Sequence, residues 1–147
     1  MKILVVCTGN TCRSPIAEGL LKKALHRYIA SEHNVSSAGI FALQGSGASE
    51  NAILAAQEKG VDLSKHFARQ LTKELISGSD LILCMTLQHK DAINSENCYT
   101  LGEYAGSGGE VSDPFGGDIE SYRRCAEQME ALIEKIAEKI ANDDNTV

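Results

Sequence analysis

The sequence predicts a single α/β domain, three-layer α/β/α, built on an open parallel sheet, and three observations carry that reading. Ile3-Leu4-Val5-Val6 is a short apolar run that stops at a Gly/Asn/Thr loop and is followed by an amphipathic segment from near Ile16, which reads as strand, tight loop and helix start. Leu81-Ile82-Leu83-Cys84-Met85 is apolar throughout, as expected of a strand covered on both faces. Extended and helical signals alternate along the chain, the pattern of right-handed crossovers between parallel strands.

The elements follow in order. After the first strand, Ser14 and Pro15 read as an N-cap and a proline at the first helical position. Ile16, Leu20, Leu21, Ala24, Leu25 and Tyr28 then recur at three- and four-residue steps, so all six are expected inward. Asn34 to Ala38 suits a second strand, and Gly39 to Ser49 a loop. A helix from about Ser49 to Lys59 should place Ile53, Leu54 and Ala56 inward and end before Gly60. Residues 61–70 read as irregular, Thr72 to Ile76 as one helical segment stopped at Gly78. A short helix from Gln88 to Ile93 and a brief strand Cys98-Tyr99-Thr100 follow the Leu81 strand. Gly102 to Gly117 is too rich in glycine for regular structure, and a loop of this length is often functional. A long amphipathic helix runs from Ile119 to Ile140, and residues 142–147 are expected to fray.

At 147 residues, 43% of them hydrophobic, the chain is sized for one domain spanning 1–147. The net charge of −6 argues against nucleic acid or an anionic membrane as partner. No run approaches membrane-spanning length and the apolar start is too short for a signal peptide, so a cytoplasmic protein, a monomer, is expected. The five cysteines are an odd, scattered set that reads as reduced thiols. No Cys/His cluster has zinc spacing, and neither metal nor cofactor is expected.

The chemistry concentrates in Cys7-Thr8-Gly9-Asn10-Thr11-Cys12-Arg13-Ser14-Pro15. A loop on a helix N-terminus presents backbone N–H groups and the positive end of the helix dipole, a ready cradle for phosphate. Gly9 reads as the point where backbone approaches a ligand. The same potential favours Cys7 as thiolate, its nucleophilic form. Arg13 offers a planar fork matched to two phosphoryl oxygens. Ser14 can donate to the thiolate or cap the helix. Phosphoryl transfer to sulfur also needs a proton for the leaving group, and Asp113, fixed before Pro114 in the glycine-rich loop, is the candidate. Taken singly, each residue has a plainer reading: Cys7 a buried hydrophobe, Arg13 a solvated cation, Asp113-Pro114 a common turn. It is their combination that favours a site.

Val6 to Pro15 resembles the signature loop of the low-molecular-weight protein phosphatases, and Asp113-Pro114-Phe115-Gly116-Gly117 resembles their general-acid loop. The resemblance covers nearly the whole chain. It implies a sheet order of 2-1-3-4, a phosphocysteine at Cys7, phosphate held by residues Thr8 to Ser14, and Asp113 acting first as acid and then as base. It also implies that Asn10, Ser37 and His66 hold the loop in its shape, and that Cys7 and Cys12 form a reversible bridge sheltering the nucleophile. Thr11 stands where tyrosine-directed members carry Ile and the arginine-directed branch carries Thr. Phe115 stands where tyrosine-directed relatives more often have tyrosine. The implied activity is therefore removal of phosphate from phosphoarginine in proteins, with phosphotyrosine the near alternative. A thiol-dependent arsenate reductase, using Cys84 as a relay, and a non-catalytic phosphate-binding module are the remaining alternatives.

Overall fold

The computed structural model describes residues 1–28 and 33–145. Four strands, β1 (Lys2–Cys7), β2 (Asn34–Gly39), β3 (Leu81–Cys84) and β4 (Cys98–Thr100), form one parallel sheet in the order β2-β1-β3-β4. The described helices are α1 (Arg13–Tyr28), α2 (Glu50–Glu58), α3 (Lys73–Ser77), α4 (Leu87–Ile93), α5 (Leu101–Ala105) and α6 (Ile119–Asn145).

Side chains alternate across β1, and this splits the core in two. Ile3, Val5 and Cys7 pack on one face with Ile16 and Leu21 of α1, Ala52 and Ala56 of α2, and Met129, Ile133 and Ile136 of α6. Leu4 and Val6 pack on the other with Ala38, Ile82, Cys84 and Ile93, and with Leu75 and Ile76 of α3 beside them. Each buried Leu or Ile side chain contributes about 1.5–3 kcal/mol, so the central strand is fixed from both sides. Because β1 lies between β2 and β3, the strand order reverses there and a crevice opens beyond its carboxyl end. Cys7 is the last residue of that strand.

Several expectations are corrected. α1 begins at Arg13, so Ser14 lies inside the first turn and its hydroxyl serves the loop instead of capping. Tyr28 is exposed and reaches Glu134 of α6 through its hydroxyl at 3.0 Å. In α2 the inward stripe is Ala52, Ala55 and Ala56, while Ile53 is half-buried and Leu54 exposed. Small residues on that stripe let α2 lie close to its neighbours. Glycine content hid α5: Thr100 and Glu103 form a reciprocal capping box, with Glu103 N–H donating to Thr100 Oγ1 at 3.1 Å and Thr100 N–H to Glu103 Oε1 at 3.0 Å. Gly102 within it is required by packing, since a Cβ there would sit 2.2 Å from the Gly108 carbonyl oxygen. α6 continues through Asn145 where fraying was expected from 142, and residues 146–147 lie outside the described set.

Candidate active site

The loop after β1 is held in shape chiefly by one buried side chain. Asn10 adopts a left-handed backbone, φ 57°, and is fully buried. The left-handed position of the loop is thus taken by Asn10, a residue type that tolerates this region. Its Nδ2 donates to Ser14 Oγ at 2.7 Å and to Ser37 Oγ at 2.9 Å. Its Oδ1 accepts the Arg69 N–H at 2.9 Å. Its carbonyl lies 2.7 Å from His66 Nε2, and because a carbonyl only accepts, the His66 proton sits on Nε2. Ser37 in turn donates to Glu18 Oε1 at 2.5 Å. Gly39 completes the support, because a Cβ there would come within 2.6 Å of the Thr8 carbonyl oxygen and 2.9 Å of the Asn10 nitrogen.

Two donors converge on Cys7. Ser14 Oγ lies 2.9 Å from Cys7 Sγ, and the Asn10 N–H donates to the sulfur at 3.3 Å. Since Asn10 Nδ2 already donates to the Ser14 oxygen, the Ser14 proton is free to point at the sulfur. The arrangement suits an anionic thiolate.

Arg13 is only 3% exposed. Its Nη1 donates to the Val111 carbonyl at 2.8 Å, and its Nη2 lies 3.5 Å from Thr8 Oγ1 and 3.6 Å from Asp113 Oδ2. Val111 in turn donates its N–H to the Met85 carbonyl at 3.0 Å, so the loop bearing Asp113 is tied to the end of β3. Asp113 is half-exposed at 49% of its side chain, and its Oδ1 accepts the Phe115 N–H at 3.0 Å. Phe115 stands out in solvent beside it. The expected set Cys7, Asn10, Arg13, Ser14, Ser37, His66 and Asp113 is therefore brought together. At the loop's other flank, the half-buried Thr11 has its carbonyl held by the Ser49 N–H at 2.9 Å.

Cys12 is a free, buried thiol whose Sγ lies 3.3 Å from Ser49 Oγ and 3.5 Å from Tyr122 Oη. Cys7 is likewise free. Cys84 is buried within the sheet, 3.9 Å from the sulfur of Cys98, and that neighbour together with burial raises its pKa.

Sequence reasoning missed Arg69, Glu18, Gly39, Ser49, Tyr122 and His89. His89, in the first turn of α4, places Nε2 2.9 Å from Thr8 Oγ1. Burial, and then the Arg13 charge, lower its pKa to about 4, so the ring is neutral near pH 7. Apart from Glu18, which follows the loop closely in α1, these partners lie far from the loop in sequence, and no local pattern flags them.

A parallel-strand-to-helix loop gathers a thiol, hydroxyl and amide donors and a buried guanidinium, with a carboxylate facing it, and this is the candidate site of a thiol-based phosphatase. The chain belongs to the low molecular weight phosphotyrosine protein phosphatase family, whose sequence profile matches residues 2–146. It is 43% identical to the protein-arginine-phosphatase of Bacillus subtilis (strain 168), over 97% of this chain and 99% of that protein. It is 40% identical to the low molecular weight protein-tyrosine-phosphatase PtpB of Staphylococcus haemolyticus, over 92% and 97%. Among solved structures, it matches the YwlE arginine phosphatase, in a cysteine-to-serine mutant with a phosphorylated active-site serine, with a TM-score of 0.92 and 41% identity, covering 99% of each chain. Among the described residues no helix is long and apolar enough to cross a membrane.

Proposed function

We propose that this chain hydrolyses phosphoarginine in proteins through a phosphocysteine at Cys7. The observation that carries the reading is the convergence of Ser14 and Asn10 on the Cys7 sulfur while Arg13 and Asp113 face each other 3.6 Å apart at the same opening. The Cys7 thiolate attacks phosphorus as the P–N bond breaks. Asp113 donates its proton to the departing guanidine nitrogen. The Asp113 carboxylate then takes a proton from the water that attacks phosphocysteine, releasing phosphate and restoring the thiolate. Arg13 and the backbone of residues 8–14, from Thr8 through Gly9, Thr11 and Cys12 to Ser14, hold the phosphoryl oxygens, and Phe115 flanks the incoming side chain. Asn10, Ser37 and His66 keep the loop curled, and a peroxide, reduced to water as it takes two electrons from the pair, links the Cys7 and Cys12 sulfurs in a disulfide. The phosphorylated serine reported for the YwlE mutant supports a covalent intermediate at this position.

Thr11 favours arginine, since a hydroxyl at the rim suits a polar, cationic leaving group better than an aliphatic arm would. Phosphotyrosine is the second reading, supported by the name of the Staphylococcus relative. The arsenate reductase alternative loses its support, because Cys84 sits inside the sheet and not on an exposed relay segment. Five free thiols and a net charge of −6 suit a cytoplasmic monomer acting on phosphorylated proteins, without nucleic acid or membrane. The test is turnover of a chromogenic aryl phosphate. Wild-type protein should turn over, and Cys7→Ser should not, while still binding inorganic phosphate. Full activity of Cys7→Ser would contradict the mechanism.

A further inference from the structure

The Thr8 hydroxyl stands between two groups from different parts of the chain. Arg13 Nη2 lies 3.5 Å from its oxygen and His89 Nε2 lies 2.9 Å from it. Arg13 can only donate, so Thr8 accepts from it. The His89 bond runs in the direction set by the ring's tautomer, and the other ring nitrogen decides that. His89 is only 6% exposed, and its Nδ1 is buried without a partner. A proton on Nδ1 would leave a buried N–H donor unpaired, whereas a bare lone pair there is the more tolerable defect. The proton therefore belongs on Nε2, and His89 donates to Thr8. Both lone pairs of the Thr8 oxygen are then engaged, one by His89 and one by Arg13. Its own hydrogen is left for an acceptor other than these two. Thr8 is exposed, whereas Arg13 and His89 are buried, so that hydrogen lies at the open side of the loop.

We propose that His89 is a positioning residue for the phosphate cradle, donating to Thr8 so that the Thr8 hydroxyl is presented as a donor to a bound phosphoryl oxygen beside Arg13. The low pKa of His89 fits this role, because an imidazolium would place a second cation against Arg13, opposed only by Asp113 and Glu110. α4 supplies the rigidity: Thr86 caps it, accepting the His89 N–H at 3.1 Å, and the Leu87 N–H donates to Glu110 Oε2 at 2.7 Å. The start of α4, and with it the His89 backbone, is thus held between the end of β3 and the loop that carries Asp113. It touches no substrate and acts through Thr8.

The proposal rests on reading this loop as a phosphate cradle. Wild-type turnover of p-nitrophenyl phosphate and its competitive inhibition by inorganic phosphate test that reading on their own. The proposal itself is tested by the same two measurements on His89→Leu, His89→Gln, Thr8→Val and the double variant Thr8→Val/His89→Leu. His89→Leu and Thr8→Val should each weaken phosphate inhibition by about tenfold, the effect of one hydrogen bond to a charged group. The double variant should be no worse than either single change by more than about twofold, because one pathway carries both effects. His89→Gln, whose amide N–H can donate to the same oxygen, should recover most of the loss, which a role confined to packing would not predict. Unchanged phosphate inhibition in either single variant, or multiplied losses in the double, overturns it. If His89→Leu does not fold, Thr8→Val and His89→Gln decide alone: inhibition unchanged in the first, or lost in a well-folded second, is fatal.

Discussion

Ser14 Oγ lies 2.9 Å from the Cys7 sulfur and accepts from Asn10 Nδ2 at 2.7 Å, which leaves the Ser14 hydrogen available to the sulfur. Removing that hydroxyl costs the thiolate a donor and leaves an Asn10 N–H unpaired. A hydrogen bond to a charged group is worth about 1.5–3 kcal/mol, so Ser14→Ala should lower kcat/KM by about 10- to 100-fold. Alkylation of Cys7 by iodoacetamide should slow in parallel at neutral pH. An unaltered alkylation rate would mean that Ser14 does not act on the sulfur.

Asp113 is half-exposed and bridged to Arg13 at 3.6 Å, placed to give up a proton at the mouth of the site. Asp113→Asn should slow turnover by about 10²–10⁴-fold for poor leaving groups. The loss should shrink along a series of aryl phosphates as the leaving phenol becomes more acidic. A loss independent of the leaving group would remove Asp113 from the role of acid.

Much of this was legible in the sequence, for a local reason. Residues 3–16 carry strand, loop and helix start within one window, and the chemistry-bearing Cys7, Arg13 and Ser14 lie inside it. What escaped depends on partners distant along the chain. Ser37 and His66, which the family resemblance had placed on Asn10, are joined there by Arg69, which no local pattern flagged, and only tertiary packing shows that Gly39 must lack a side chain. Leu54 was misplaced because the alanines beside it, weak hydrophobic signals, form the closer-packing stripe of α2. α5 escaped because its capping box lies amid glycines that suggested a loop.

Cys12 is held by Ser49 and Tyr122, yet stays within the same short loop as Cys7. Mild peroxide should inactivate the protein in a way that thiol reverses, and Cys12→Ser should make recovery markedly less complete. Peptide mapping by mass spectrometry after limited oxidation should find the Cys7–Cys12 link. Its absence, with Cys7 oxidised only to the sulfinic acid, would refute the sheltering bridge.

His89 also predicts a pH dependence of stability. Its pKa falls from the ordinary 6.5 to about 4 on folding, so between these values the unfolded chain binds a proton that the folded chain does not. Stability is greatest in this respect above pH 6.5 and declines as pH falls toward 4. Urea unfolding across that window should show the decline, and His89→Gln should flatten it. Equal slopes in both proteins would show that His89 is not the group responsible.

Thr11 and the cradle are proposed to select phosphoarginine. Ile and Thr are both β-branched, so Thr11→Ile should keep the loop's shape while replacing a hydroxyl with apolar surface. The decisive measurement is kcat/KM on matched phosphoarginine and phosphotyrosine peptides, for wild type and Thr11→Ile. Wild type should prefer phosphoarginine, and Thr11→Ile should shift the ratio toward phosphotyrosine by about one to two decades, the scale of one buried polar group left unpaired. A wild-type preference for phosphotyrosine, or a ratio that Thr11→Ile leaves unchanged, would contradict the claim.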